Sequence, residues 1–303
     1  MDISSLRYAT PLPFFLAERG FELSPGSSPY NGLPYTAGMT ELFPRLQSLP
    51  QPSSRAATWR DRIQLVATDM DGTLTKAGKF SPALLSAFRQ LKRRGIQVLV
   101  VTGRSAGWVS GLVNYLDVVG AIAENGGIYY PSIGETAGDL LANISNVEAY
   151  RQQLRSVFAC LKEDFPNLQP ATDNRFRLTD WTFINTDFSA TELTHMQQLC
   201  SQLGWGFTYS SIQCHIKPLH QAKGSAVFTI ARQLIPEITP EKVVTVGDSP
   251  NDESLFVRDD FPYSVGVANI AEFSDRLQHQ PTFVTRAREG EGFCELVTWL
   301  LEA

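Results

Sequence analysis

The stretch VATDMDGTLT sets two carboxylates, Asp69 and Asp71, at the end of an apolar run and follows them at once with Gly72 and Thr73. Burying a carboxylate is costly unless something compensates its charge, so packing does not explain the pair. The available compensators are a metal ion, a lysine and the backbone N–H groups of the next turn. Three more stretches carry residue types suited to the same chemistry. They are VTGR with Thr102, Gly103 and Arg104, QAKGSAV with Lys223, and GDSPND from Gly247 to Asp252. Each alone has a plain structural explanation: a turn, a solvated helix start, a loop. Their combination is what points to chemistry.

The chemistry follows from charge. A carboxylate is a poor nucleophile towards a phosphate ester, because both are anionic. Mg²⁺ removes that repulsion by bridging them, and it takes hard oxygen ligands in octahedral geometry. Asp69 and Asp248 supply two such oxygens, and the backbone carbonyl of Asp71 a third. Lys223 adds a point charge suited to holding the nucleophile and the phosphoryl oxygens. The Thr102 hydroxyl and the Gly103 N–H can donate to the phosphoryl group. Asp71 stands where it can protonate the leaving oxygen and then deprotonate the attacking water. An aspartyl-phosphate intermediate would divide one hard step into two easier ones.

Positioning these residues requires strands that end together. IQLVATD, IQVLVVTG, KVVTVGD and YSVGVAN read as buried strands, and GAIAENGG as a further short one. SPALLSAFRQLKRRG reads as an amphipathic helix with Ser81 as N-cap, Pro82 in the first turn and Gly95 as the stop. SAGWVSGLVNYL and DESLFV read as helical too. This alternation predicts a parallel sheet with helices on both faces. Ligands of such sheets bind beyond the carboxyl ends of the strands, where Asp69, Thr102 and Asp248 fall.

DMDGTLT, VTGR, AKGSA and GDSPND stand in the order of the four motifs of the haloacid dehalogenase (HAD) superfamily, which the chain resembles over roughly residues 60 to 300. The resemblance implies an α/β fold: a Rossmann-like core with a parallel sheet, and a smaller inserted α/β cap. An acidic residue at the Asp71 position marks the phosphotransferring members. The resemblance therefore implies a Mg²⁺-dependent phosphatase or mutase, with Asp69 as nucleophile and Asp71 as acid/base. It further implies phosphate binding by Thr102, Gly103, Lys223 and Asn251, and a metal held by Asp69, Asp71, Asp248 and Asp252.

Ninety-four residues separate ENGG from AKGSA. They hold two helical stretches, VEAYRQQLRSVFACLKED and ATELTHMQQLCSQLG, and the strand-like runs RFRLTDWTFIN, WGFTYS and IQCHIKP. This insertion resembles the α/β cap of the subgroup that contains Cof-type sugar phosphatases, sucrose-phosphate phosphatase and eukaryotic phosphomannomutase. The arginine-bearing cap motif of the mutase is missing. The domain division expected is an arm over 1–60, a catalytic core over 61–145 and 219–303, and a cap over 146–218. Arg175 and Arg177 alternate, so on one strand they share a face and could clamp a second anionic group. His215, Glu124 and Asn125 are further substrate candidates, the last two because they follow a core strand.

Composition bounds the setting. Hydrophobic residues at 43% and charged residues at 19% suit a soluble globular chain. A net charge of -5 gives no basic surface for nucleic acid. No long apolar segment predicts a membrane span or secretory signal. Four dispersed cysteines without a CxxC pair fit reduced thiols and a cytoplasmic setting. Eight of the eighteen prolines fall in residues 1–60, which reads as an extended arm. The expected partner is a small phosphorylated metabolite, such as a sugar or sugar-acid phosphate. A hexose phosphomutase and a non-catalytic protein on the same scaffold are the alternatives.

Overall fold

The computed structural model describes residues 47–51, 54–134 and 137–302. Most of the proline-rich arm, residues 1–46, lies outside the described residues. Twelve strands follow in chain order among those described: β1 Gln47–Ser48, β2 Leu65–Thr68, β3 Gln97–Val101, β4 Gly120–Ala123, β5 Ile128–Pro131, β6 Asp139–Leu140, β7 Trp181–Ile184, β8 Trp205–Tyr209, β9 Gln213–Pro218, β10 Val243–Gly247, β11 Tyr263–Gly266 and β12 Phe283–Val284. The α-helices are α1 Pro82–Arg93, α2 Ala106–Leu112, α3 Val147–Asp164, α4 Ala190–Gln202, α5 Lys223–Leu234 and α6 Glu289–Leu301.

Nine strands form one sheet in the order β1-β12-β11-β10-β2-β3-β4-β5-β6. Pairing is parallel from β1 through β4. The chain order supplies the reason, because helical crossovers return the chain to the same edge of the sheet. The last two pairings are antiparallel, β4 with β5 and β5 with β6, and this departs from the all-parallel expectation. Only the turn Glu124–Gly127 joins β4 to β5, too short for a crossover, so the strand must fold back on its neighbour.

Alternation along each central strand divides the core into two layers. Val66, Val98, Val100, Val244 and Val246 pack with Leu84, Phe88, Leu91, Val109, Phe293 and Leu296 of α1, α2 and α6. Leu65, Ala67, Leu99 and Val101 point to the other face and meet Val227, Ile230 and Ala231 of α5. Helices on both faces follow from strands that are buried at nearly every position. Helix α1 begins as its sequence predicts, with the Ser81 hydroxyl accepting from Leu84 N at 3.1 Å. Strand β1 and Trp59 belong to this packing. Strand β1 pairs with β12, and Trp59 stacks on Tyr263 at 4.2 Å between ring centroids.

The insertion folds as a separate antiparallel sheet, β7-β9-β8, under α3 and α4. Cys214 and Ile216 of β9 face those helices, with Leu154, Leu161, Phe183 and Met196. Period-two alternation turns Gln213 and His215 to the opposite side, where they line a cavity shared with Asp69.

Two local readings are corrected. RFRLTDWTFIN is not one strand: Thr172–Phe176 is a 3-10 turn and the strand begins only at Trp181. The Asn174 carboxamide causes this. It accepts from Thr182 N at 2.9 Å and donates to Thr182 O and Ala171 O, taking the place of strand partners. DESLFV is helical as read, but its bounds shift: the element is a 3-10 helix over Pro250–Leu255 that leaves out Phe256 and Val257. Ser249 and Asp252 close a capping box on that helix.

Candidate active site

The strand register builds the site. Thr68 lies opposite Val246 of β10 and Val100 of β3. One step further out, Asp69 N donates to Val246 O at 2.9 Å and Thr102 N to Ile122 O at 2.8 Å. Asp69, Thr102 and Asp248 therefore emerge side by side at the carboxyl edge of three neighbouring strands. Lys223 reaches them from the first position of α5. Its Nζ donates to Asp69 Oδ1 at 2.6 Å and to Asp252 Oδ1 at 2.7 Å.

The second Asp252 oxygen accepts from Asp248 N at 2.9 Å and Ser249 N at 3.1 Å. Asp248 is steered in turn. Its Oδ1 accepts from the Thr73 hydroxyl at 3.0 Å and its Oδ2 from Asn269 Nδ2 at 2.8 Å. A side chain at position 72 would put its Cβ 2.4 Å from Asp248 Oδ2, and the backbone there has φ +83°, so both space and conformation require glycine.

Charge in this cluster is unbalanced. Carboxylate oxygens of Asp69, Asp248 and Asp252 lie within 4.8 Å of one another, all buried, and one ammonium faces the three. Burial pushes the Asp69 carboxyl up to about 7 against the pull of Lys223, and the Asp252 charge adds to the rise. Asp248 is raised well above the usual carboxylate range by burial and then by Asp69 and Asp252. Burial disfavours the charge on Lys223, but Asp252 and Asp69 more than offset this and raise its pKa. An all-oxygen donor set with surplus negative charge fits a hard divalent cation. The Asp71 carbonyl accepts no hydrogen bond among the described residues and remains available to such an ion.

The candidate donors for a phosphoryl group come from two turns. Met70 O accepts from the amides of Thr73, Leu74 and Thr75, so the chain after Asp69 coils into a turn. The N–H groups of Met70 and Asp71 at the start of that turn have no partner among the described residues, and neither has Gly103 N–H. The Thr102 hydroxyl accepts from Arg104 N at 3.1 Å and keeps its proton to donate. The Met70 and Asp71 amides were not named from the sequence. The helical-turn pattern of DMDGTLT is the signal that could have found them.

Arg104 was also missed as a site residue, although it stands in VTGR. Its guanidinium grips Asp71 in a two-pronged pair, Nε to Oδ2 at 2.8 Å and Nη2 to Oδ1 at 2.6 Å. The same group lies 5.5 Å from the centroid of the Trp108 ring.

The substrate candidates separate. His215 lines the cavity together with Asp69, Asp71, Arg104 and Asn251, and its Nδ1 meets Asp180 Oδ2 at 2.8 Å. Burial lowers the His215 pKa despite the Asp180 partner. Asn251 Nδ2 donates to Asn125 Oδ1 at 3.1 Å, and the buried Asn125 Nδ2 has no partner.

Glu124 does not line that cavity. It is fully buried, and its carboxylate accepts from Ala106 N, Leu178 N, Thr179 N and the Thr179 hydroxyl. It ties the start of α2 to the segment that leads into β7. Gly127 permits that approach, since a Cβ there would fall 1.8 Å from Thr179 Oγ1.

Arg175 and Arg177 do not share a face. Arg175 is exposed, with its guanidinium 4.6 Å from the Phe176 ring centroid. Arg177 is buried and committed to Asp180, Asp173, Gln213 and the Gly103 carbonyl, at 2.8–3.1 Å. No anion clamp of two alternating arginines exists here.

A cavity of about 30 Å³ lies between the strand ends and the β8–β9 turn Ser210–Gln213. A lysine-held carboxylate, a second carboxylate and N–H groups with no partner among the described residues around one such cavity suit a phosphoryl group. Residues 66–150 match the family of haloacid dehalogenase-like hydrolases. The phosphoglycolate phosphatase of Methanothrix thermoacetophila is 28% identical over 239 residues, covering 78% of this chain and 96% of that one. Phosphoglycolate phosphatase 1 of Saccharolobus solfataricus is also 28% identical, over 79% of this chain and 96% of its own. Among solved structures, Thermoplasma acidophilum 0175 superposes with a TM-score of 0.61 at 21% identity, over 78% of this chain and 98% of that one. The sucrose-phosphatase of Synechocystis sp. PCC6803, in complex with sucrose and phosphate, does so with a TM-score of 0.60 at 17% identity, over 78% and 98%. The family match, the phosphatase relatives and the site geometry together support a haloacid dehalogenase-type phosphatase. Among the described residues no helix is long and apolar enough to cross a membrane.

Proposed function

We propose that the chain is a Mg²⁺-dependent phosphomonoester hydrolase, acting on a phosphorylated sugar, sugar acid or comparably small metabolite through an aspartyl-phosphate. One observation carries this reading: Lys223 holds Asp69 Oδ1, while Asp69 Oδ2 has no hydrogen-bond partner among the described residues. A carboxylate oriented by one oxygen and free at the other is prepared for attack.

Asp69 Oδ2 bonds to phosphorus as the bond to the leaving oxygen breaks, and Asp71 supplies the proton that oxygen needs. Water then attacks the aspartyl-phosphate, gives its proton to Asp71 and releases orthophosphate. Lys223, the Thr102 hydroxyl and the N–H groups of Met70, Asp71 and Gly103 hold the phosphoryl oxygens. Asp69, Asp248 and the Asp71 carbonyl would hold the metal, with Asp252 keeping Lys223 and the Asp248 backbone in place. When bound, Mg²⁺ supplies charge that lets carboxylate and phosphate approach. The phosphoglycolate phosphatase relatives favour a small organic phosphate as substrate.

The test is phosphate release from a panel of phosphorylated metabolites. Mg²⁺ should support turnover, EDTA abolish it and Ca²⁺ fail to replace Mg²⁺, because calcium takes more ligands at longer distance. Full activity in metal-free buffer would overturn the metal assignment. Turnover that requires a hexose bisphosphate would identify a mutase instead.

A further inference from the structure

Arg104 stands at the cavity wall, paired with Asp71. Its guanidinium engages both oxygens of Asp71, so a leaving oxygen must compete with the arginine for them. Its backbone is fixed: Arg104 N donates to Thr102 Oγ1 and Arg104 O accepts from Glu124 N at 3.0 Å. Only the side chain need move, across the Trp108 ring that already lies beside it. The side chain is 36% exposed, so the path is open.

The other cations near the cavity are committed. Lys223 holds Asp69 and Asp252, and Arg177 holds Asp180 and Asp173. Removing an arginine from a two-pronged carboxylate pair is costly unless an equivalent anion replaces the one lost.

We propose that Arg104 reads a carboxylate on the substrate: a short phosphorylated acid takes the guanidinium in exchange for Asp71, and so uncovers the group that must handle the leaving-group proton. The exchange replaces one carboxylate by another, so its cost is small for an acid and large for a neutral ester. Selectivity and activation then come from the same contact. The small cavity favours an acid whose carboxylate lies close to its phosphate. This rests on the phosphomonoesterase reading above.

The experiment compares kcat and KM for phosphoglycolate, 2-hydroxyethyl phosphate and p-nitrophenyl phosphate with Mg²⁺, in the parent, Arg104→Gln and Arg104→Lys. The parent should prefer phosphoglycolate over its neutral analogue by about thirtyfold or more in kcat/KM, a range expected for one charge-assisted two-pronged contact. In Arg104→Gln that ratio should collapse towards one. The loss on phosphoglycolate should appear chiefly in KM, because Asp71 is already uncovered in the variant. Arg104→Lys should keep part of the preference, since it retains the charge without the fork.

A parallel fall of kcat for all three esters would make Arg104 only a support for Asp71 and overturn the proposal. So would a parent enzyme that treats the acid and the neutral ester alike, or a glutamine variant that keeps the full ratio. If the parent hydrolyses none of the three, p-nitrophenyl phosphate included, the phosphatase reading itself falls and the proposal with it. A melting temperature for each variant excludes misfolding, and the lysine variant decides the case if glutamine is not tolerated.

Discussion

Two buried charge clusters lie within the same molecule, and they differ in balance. In the cap, Arg177 is enclosed by Asp173 and Asp180, and Asp180 also takes His215 Nδ1. Burial works against ionisation of Asp180, yet Arg177 and His215 hold its pKa below the ordinary value. In the core, three carboxylates share one lysine, and two of them are pushed upwards. Both clusters are buried and both are dense in hydrogen bonds. A cluster in which every carboxylate meets a cation stabilises the fold. A cluster that leaves one carboxylate, Asp248, without a cationic partner among the described residues is open to a charged ligand.

The comparison breaks most visibly at the nucleophile. Asp69→Asn should lower turnover at least about a thousandfold while leaving the melting temperature within a few degrees, since an amide neither attacks phosphorus nor burdens the cluster with charge. Appreciable turnover by this variant at saturating Mg²⁺ would remove the covalent mechanism. The balanced cluster should respond the other way. Arg177→Ala strands Asp180 and Asp173, and should cost about 3–5 kcal/mol in denaturant unfolding, the usual range for removing one partner of a buried pair. Its kcat for p-nitrophenyl phosphate, per folded molecule, should fall far less than in Asp69→Asn. The smallest effect belongs to Arg175→Ala. With that side chain exposed, stability should stay within about 0.5 kcal/mol of the parent and kcat/KM should be unchanged for every substrate. A clear loss of activity there would revive a role for the turn in substrate binding.

The sequence allowed much of the core to be read, because its signals are local. Runs such as VLVV and VVTV can only be buried strands of a doubly covered sheet, and each ends on a residue that packing would not choose. Asp69, Thr102 and Asp248 do lie together at those strand ends, with Lys223 reaching them from a helix start. The cap was less legible, because its decisive partners are distant in sequence. Glu124 looked like a substrate contact, but the N–H groups that absorb its carboxylate lie 54 and 55 residues further along. Arg175 and Arg177 looked like a pair on one strand until the Asn174 side chain took over the hydrogen bonds a strand would have made. Arg104 was visible in its motif. Its grip on Asp71 depends on how two strand-end loops face each other, which no spacing along the chain reveals.

Glu124 has a mechanical consequence. Its carboxylate receives the chain entering the cap at Leu178 and Thr179, and its carbonyl receives Gln221 Nε2 on the chain leaving it. Both crossings are thus pinned to one residue at the end of β4. Arg177 Nη1 ties the insertion to the core a second time, by donating to the Gly103 carbonyl beside the Ser210–Gln213 turn that lines the cavity. The insertion is therefore latched at the mouth of the site as well as anchored behind it.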